Sequence, residues 1–126
     1  LPPMPRALKL QKRAARVGFD WINMDDIIAK LHEETAELRA ETTRDPVDQA
    51  RIEDEVGDVL FVAVNLARRA GVDPETALMG CNSKFESRCR YIEKQAEKYG
   101  KNINDMSLDD MEALWQDAKT ESHKTE

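Results

Sequence analysis

Two clusters of acidic residues stand on either side of one short break in the chain. The first is Glu33-Glu34-x-x-Glu37 and the second is Glu55-x-x-Asp58. Residues three or four apart share one face of a helix, so each cluster offers a pair of carboxylates. Two antiparallel helices could bring both pairs together in a bundle interior. Four converging carboxylates require a cation, and a hard divalent ion prefers such oxygen ligands.

The position of these acids relative to the apolar face of the helix distinguishes between a ligand site and an ordinary solvated surface. With Glu34 as the origin, Ile27 lies at about 20° and Leu38 at about 40°, whereas Glu33 lies at about 260°. The pair on the second segment likewise falls beside apolar residues. Acidic runs on helices are usually solvated, but uncompensated carboxylates among apolar side chains are costly. We therefore predict a ligand site here.

The composition predicts one all-α domain over residues 1–126. The chain has only five Gly, five Pro and 6% aromatic residues, and 35% of its residues are charged. Those proportions are typical of helical proteins, and the length suits a single core. The net charge of −6 argues against a nucleic-acid partner. No apolar run approaches the ~20 residues that a membrane helix needs, so we expect no membrane partner.

The two cysteines, Cys81 and Cys89, are eight residues apart in one predicted helix. That separation is too long for a disulfide within the helix. The N-terminus has no signal-peptide pattern. We interpret the cysteines as buried free thiols and predict a cytoplasmic protein.

Start and stop signals divide the chain into five helices. Asn23 is a suitable N-cap for the second helix, and Ser107 for the fifth. Asp45-Pro46 provides an N-cap and a first helical residue for the third. The predicted helices span about 6–17, 24–42, 46–70, 74–99 and 108–120, and residues 122–126 are expected to fray.

The third helix contains the run Val59–Val64, which is apolar on all sides. A helix that is apolar all round must be covered all round. Either the helix is central within one chain, or a second copy covers it. We favour a homodimer, because a small bundle has few helices with which to cover this one.

Basic and aromatic residues could complete a polyphosphate site. Lys84 and Arg88 lie one turn apart on the fourth helix, so both cations could contact the phosphate oxygens of one ligand. They could equally be solvated charges that balance acidic neighbours. Lys30 could contact phosphate or simply pair with an acid one turn away. Trp115 and Lys119 could close over a base and its phosphates, although a lone Trp is more often a core or interface residue.

The acidic pattern Glu33-Glu34-x-x-Glu37 followed by Glu55-x-x-Asp58 resembles the signature of the MazG nucleoside triphosphate pyrophosphohydrolases. The stretches KLQKRAARVGFDW, EDEVGDVLFVAVNLARRAGVDPETAL and NSKFESRCRYIE are similar to the catalytic C-terminal module of the two-module members. The likeness covers nearly the whole chain.

The resemblance implies a four-helix-bundle-type MazG-like fold with an additional helix, and a homodimer. It implies hydrolysis of nucleoside triphosphates to monophosphates and pyrophosphate with Mg²⁺, or with Mn²⁺ in its place. Because only one module is present and the chain begins at Leu1, we interpret it as a fragment of a tandem protein. By position, the metal-ligand and catalytic residues are Glu34, Glu37, Glu55 and Asp58, the triphosphate contacts are Lys84 and Arg88, and further nucleotide contacts are Lys30, Trp115 and Lys119.

Other function classes are weighed against this one. The chain has no GxxxxGK[ST] loop, so it is not a P-loop enzyme. A carboxylate-bridged di-iron bundle requires Glu-x-x-His on two helices, and neither His32 nor His123 has Glu at that spacing. A non-catalytic helical interaction module would dock through the apolar third helix and would release no pyrophosphate.

Overall fold

The computed structural model describes residues 1–125, with side chains as far as Glu121. Within that range the secondary structure is entirely helical, which confirms the all-α prediction. None of the described helices has the length and apolar character that crossing a bilayer demands. The helices are α1 (Pro3–Arg16), α2 (Met24–Thr42), α3 (Gln49–Arg69), α4 (Pro74–Lys98) and α5 (Leu108–Thr125), with one 3₁₀ turn at Ile103–Asp105.

The second helix has the predicted bounds because its ends carry strong local signals. The Asn23 side chain accepts a hydrogen bond from the Asp25 backbone N–H at 2.8 Å, which satisfies one of the free donors of the first turn. Asp25 and Asp26 add negative charge at the positive end of the helix dipole. The N-cap predicted from the sequence is therefore confirmed.

The predicted start of the third helix at Pro46 is wrong. The helix begins at Gln49, and the Asp48 side chain accepts a hydrogen bond from the Ala50 N–H at 3.1 Å. Asp48 offers the same capping carboxylate as Asp45, three residues later in the chain. The acid that caps the helix therefore decides its first residue.

The first helix begins earlier than the predicted Arg6. It starts at Pro3. Proline is tolerated in the first turn of a helix, because the N–H that it lacks would have no partner within the helix. The helix ends at Arg16, and Gly18 follows with φ +86°, a left-handed conformation that leads into residues 19–21, called the aromatic segment below. Apart from the chain neighbours, none of the described residues has an atom within 4 Å of the position of a Cβ added to this glycine.

The last helix is longer than the predicted 108–120. The Ser107 hydroxyl accepts a hydrogen bond from the Asp110 N–H at 3.1 Å, as predicted for the N-cap, and the helix continues to Thr125. The tail was expected to fray over residues 122–126, but 122–125 are helical. The side chains of that tail and the whole of Glu126 lie outside the described residues.

The chain divides into two compact units, Leu1–Ala77 and Leu78–Glu126. In the first unit, α3 packs against both α1 and α2. Its buried apolar residues include Ile27, Val62 and Val64. In the second unit the buried apolar residues include Ile92, Ala96 and Ala118. The assignment of residues 1–126 to one domain stays a prediction.

The apolar run of α3 is only partly covered. Val62 and Val64 are buried, whereas Leu60 is 58% exposed and Phe61 is 43% exposed. Both cysteines are free thiols, but Cys81 is exposed, so the prediction that it is buried is wrong.

Candidate metal centre

Carboxylates from two neighbouring helices converge in the first unit. Glu34 and Glu37 of α2 and Glu55 of α3 each place one oxygen within 4.8 Å of the others. Asp58 lies one turn beyond Glu55 and forms a second such group with Glu55 and Asp54. The four predicted ligands therefore occupy two overlapping groups that share Glu55. Asp54, which sequence reasoning did not select, belongs to the second group.

A bidentate ion pair helps to bring the two helices together. Arg51 of α3 donates to both carboxylate oxygens of Glu41 on α2, at 3.0 and 2.8 Å. Its hydrogen bond lowers the pKa of Glu41. This acid is thus fully compensated by a fixed guanidinium fork.

The clustered acids, in contrast, are poorly compensated. The Glu34 residue is only 7% exposed, and its Oε2 atom is buried with no hydrogen-bond partner among the residues that the structure describes. The Oε2 atom of Glu55 is likewise buried and receives no hydrogen bond from the described residues. Buried acceptors are normally paired, and a carboxylate oxygen without a donor is a suitable ligand for a cation. These residues therefore fit a divalent metal ion.

The charge within the cluster alters the acidity of its members. The charge of Glu34 and partial desolvation raise the pKa of Glu37. Desolvation, followed by the charges of Asp58 and Glu34, raises the pKa of Glu55. Desolvation and the charge of Asp54 raise the pKa of Asp58. Desolvation and repulsion between the anions thus both penalise the charged forms, and a bound cation would offset these penalties.

Lys30 forms ion pairs with acids at the edge of this cluster. Its Nζ lies 3.3 Å from Glu34 Oε1 and 3.5 Å from Glu33 Oε2. The hydrogen bond to Glu34 raises the pKa of Lys30. Glu33 is exposed, as its helical position predicted. Lys30 is thus the partner of these acids in the free protein, and a phosphate contact remains a prediction.

A cavity of about 290 Å³ adjoins the carboxylates within the first unit. Lys30, Glu34 and Asp58 line it, together with Phe19 and Trp21 of the aromatic segment. The remaining lining residues come mainly from α1 and α3.

Three polar residues of this cavity were missed, namely Gln11, Asn65 and Arg68. Asn65 could have been found from the sequence, because it is a polar residue inside the apolar sequence VLFVAVNLA. Gln11 gave no comparable signal, because α1 is rich in polar residues.

Two of the predicted substrate contacts meet in the second unit. The Arg88 guanidinium lies 5.1 Å from the centroid of the Trp115 ring, and Phe85 packs against the same indole at 5.4 Å between centroids. Arg88 Nε is buried, and none of the described side chains or backbone groups forms a hydrogen bond with it. Lys84 is exposed on α4, and Lys119 is half-buried one turn after Trp115. Substrate contact by these residues remains a prediction.

The chain is similar to proteins that hydrolyse nucleotides. The MazG nucleotide pyrophosphohydrolase domain matches residues 23–92. A nucleoside triphosphate pyrophosphohydrolase of Escherichia coli is 44% identical over 119 residues, which cover 94% of this chain and 45% of that protein. A nucleoside triphosphate pyrophosphohydrolase/pyrophosphatase MazG of Thermotoga maritima is 34% identical with the same coverage. The chain therefore spans less than half the length of these relatives.

Proposed function

The chain belongs to the MazG nucleotide pyrophosphohydrolase family, and from this premise we propose that it hydrolyses nucleoside triphosphates to monophosphates and pyrophosphate. The observation that carries the proposal is the group of converging carboxylates on α2 and α3, two of whose buried oxygens have no hydrogen-bond partner within the described residues. Such oxygens can hold a cation, and a triphosphate is an anion that a cation can bind.

We propose Glu34, Glu37, Glu55 and Asp58 as the ligands of Mg²⁺, with Mn²⁺ as an alternative. Oxygen ligands from carboxylates suit both ions. When bound, the ion would neutralise phosphate charge and make the α-phosphorus more electrophilic. The two groups of carboxylates include no histidine among the described residues, which disfavours the di-iron alternative.

A carboxylate of the cluster would position water for in-line attack on the α-phosphorus. A bond forms between the water oxygen and phosphorus, and the bond from phosphorus to the oxygen of pyrophosphate breaks. The water's proton passes to the carboxylate.

Cationic side chains would hold the rest of the substrate. Lys30 already lies beside the carboxylates and can pair with a phosphate oxygen as readily as with an acid. Lys84 and Arg88 are proposed as triphosphate contacts, and Trp115 and Lys119 as further nucleotide contacts, because they match the family pattern. Charged donors aimed at phosphate oxygens stabilise the charge that develops on the leaving pyrophosphate.

We also propose that the chain acts as a homodimer in the cytoplasm. The exposed Leu60 and Phe61 lie on the apolar run of α3, and a second copy of the chain would cover them. Free thiols at Cys81 and Cys89 are consistent with a reducing compartment.

The test is release of pyrophosphate from a panel of ribo- and deoxyribonucleoside triphosphates, with and without Mg²⁺. Glu55→Gln and Asp58→Asn should each lower kcat by about 100-fold or more, as loss of a charged ligand does. Glu53→Gln, an exposed acid on the same helix, is the matched control and should retain activity.

Two results would contradict the proposal. Full activity in both ligand variants would remove these acids from the reaction. Failure of the unaltered chain to release pyrophosphate from any nucleotide would leave the non-catalytic interaction module as the better account.

A further inference from the structure

Two buried amide side chains line the cavity beside the carboxylates. Gln11 from α1 is 7% exposed, and Asn65 from α3 is 5% exposed. An amide is costly to bury unless its donor and acceptor groups are both paired. The carboxylate cluster uses neither residue, so their place in the cavity wall needs another explanation.

The orientation of the Asn65 amide is fixed by an arginine. Arg68 Nη2 and Nε lie 2.8 and 3.2 Å from Asn65 Oδ1. A guanidinium only donates hydrogen bonds, so the atom that faces it must be the carbonyl oxygen. Arg68 is itself held by an ion pair with Asp20, and both side chains are less than one-fifth exposed. Asn65 therefore offers its Nδ2 hydrogens to a ligand in the cavity.

Gln11 has the opposite polarity. Its Nε2 donates a hydrogen bond to the backbone carbonyl of Phe61 at 2.8 Å. A carbonyl only accepts, so this atom must be the amide nitrogen. Gln11 Oε1 is buried and has no partner among the described residues. A donor on a ligand would satisfy this oxygen, and the cost of leaving it unpaired favours a ligand that carries one.

We propose that Gln11 and Asn65 recognise the edge of the nucleobase. Gln11 Oε1 accepts a hydrogen bond from an N–H of the base, and Asn65 Nδ2 donates to a neighbouring ring nitrogen or carbonyl oxygen. This inference rests on the proposed function, because it requires a triphosphate at the adjacent carboxylates. Adenine offers such a donor and acceptor side by side at its 6-amino group and N1.

The other walls of the cavity suit a base. Trp21 presents an aromatic surface, and aromatic side chains stack on every nucleobase. Lys30, Glu34 and Asp58 line the same cavity, so a ring bound there lies next to the candidate metal centre. The volume of about 290 Å³ is at the small end of ligand pockets, which span about 300–1,000 Å³. It suits one heterocycle better than a whole nucleotide.

The test compares three substrates by pyrophosphate release. They are ATP, purine riboside 5′-triphosphate, which lacks the 6-amino group, and ribose 5′-triphosphate, which lacks a base. The unaltered protein should prefer ATP to the purine riboside compound by about 10-fold in kcat/KM, the loss expected when one buried partner is removed. Gln11→Met should reduce this preference to within about two-fold, because it removes the acceptor.

Asn65→Asp tests the donor. An aspartate can still pair with Arg68, but its second oxygen faces the base as an acceptor. The kcat/KM for ATP should fall about 10-fold or more, while that for ribose 5′-triphosphate stays unchanged. Asn104→Asp, at an exposed position in the second unit, is the control. Equal losses on ATP and on the base-free substrate, or an undiminished preference in Gln11→Met, would overturn the inference.

Binding of AMP by calorimetry separates this inference from the proposed function, because it needs no turnover. Weaker AMP binding in Asn65→Asp, without pyrophosphate release by the unaltered protein, would refute only the proposed function. Normal turnover with AMP binding that is unchanged in both variants would refute only the role of Gln11 and Asn65.

Discussion

Glu34 Oε1 lies 3.3 Å from the Lys30 Nζ, one turn away on α2, while the second oxygen of the same carboxylate is buried without a partner in the described part of the chain. One lysine thus compensates half of this acid and leaves the other half for a further cation. The contrast with Glu41, whose two oxygens both receive a hydrogen bond from Arg51, marks Glu34 as a residue kept open for a ligand.

Glu55→Gln should separate metal binding from folding. In EDTA the variant should melt at the same temperature as the unaltered protein or at a higher one, because it removes a desolvated charge that repels its neighbours. The increase in Tm on addition of Mg²⁺ should be much smaller in the variant, since an ion that binds the folded protein more weakly stabilises it less at the same concentration. Thermal unfolding with and without Mg²⁺ measures both effects. Glu53→Gln should keep the full increase, and an equal increase in Glu55→Gln would contradict the assignment.

The raised pKa values of the clustered acids determine how the stability of the metal-free protein should change with pH. The pKa values of Glu37, Glu55 and Asp58 are raised in the folded protein. The folded state therefore binds more protons than the unfolded state between each ordinary pKa and its raised value. The free energy of unfolding contributed by these groups should be largest below the ordinary values and should fall as the pH rises through the raised ones.

Urea unfolding in EDTA across a pH series measures this contribution. The Glu55→Gln variant should show a shallower decline with pH than the unaltered protein. Saturating Mg²⁺ should weaken or reverse the decline, because protons compete with the ion for the same oxygens. An identical pH dependence in the variant would show that Glu55 titrates normally.

Arg88→Met should weaken substrate binding by removing a cation that the Trp115 ring holds in place. We expect the KM for ATP to rise about 10-fold with a smaller change in kcat, because a phosphate contact formed in both ground and transition states changes mainly binding. Trp115→Leu should produce a smaller rise, since Arg88 remains but is less restrained. Steady-state kinetics measure both.

Lys98→Met provides the matched control for Arg88. Lys98 lies 5.8 Å from the Tyr99 ring centroid in the same unit and is also a cation beside an aromatic residue. It should leave KM unchanged. An equal rise in KM for Lys98→Met would indicate a general charge effect rather than a contact made by Arg88.

Leu60→Glu should dissociate the proposed dimer. The side chain is 58% exposed in the single chain, so a glutamate is tolerated in the monomer but would be costly in an apolar interface. Sedimentation velocity should show a dimer for the unaltered chain and a monomer for the variant. Leu108→Glu changes a leucine that is 75% exposed and should leave the dimer intact. A well-folded monomer in the unaltered chain would refute the dimer.

The sequence predicted those features that depend on residues close together in the chain. Helical angles alone placed Glu34 among apolar residues, and it is buried. Local capping signals likewise predicted the bounds of α2. The start of α3 was missed because Asp45 and Asp48 give equivalent signals, and only the fold selects between them.

The polar wall of the cavity could not be predicted in the same way. Gln11 pairs with Phe61 across 50 residues, and Arg68 pairs with Asp20 across 48. No periodicity within one helix encodes such a pair, because it depends on how α1, the aromatic segment and α3 pack together. Asn65 differed from its apolar neighbours, but its arginine partner became evident only in the structure.

A substitution at Gly18, which has a left-handed conformation, would alter the aromatic segment without changing any carboxylate residue. An added Cβ at this position would meet no residue beyond the chain neighbours within 4 Å, so an alanine there would strain mainly its own backbone, at a cost of about 1–2 kcal/mol. Relief of that strain would change the local backbone and with it the presentation of Phe19 and Trp21. The glycine thus offers protein engineers a means of adjusting ligand preference without substituting any of the carboxylates.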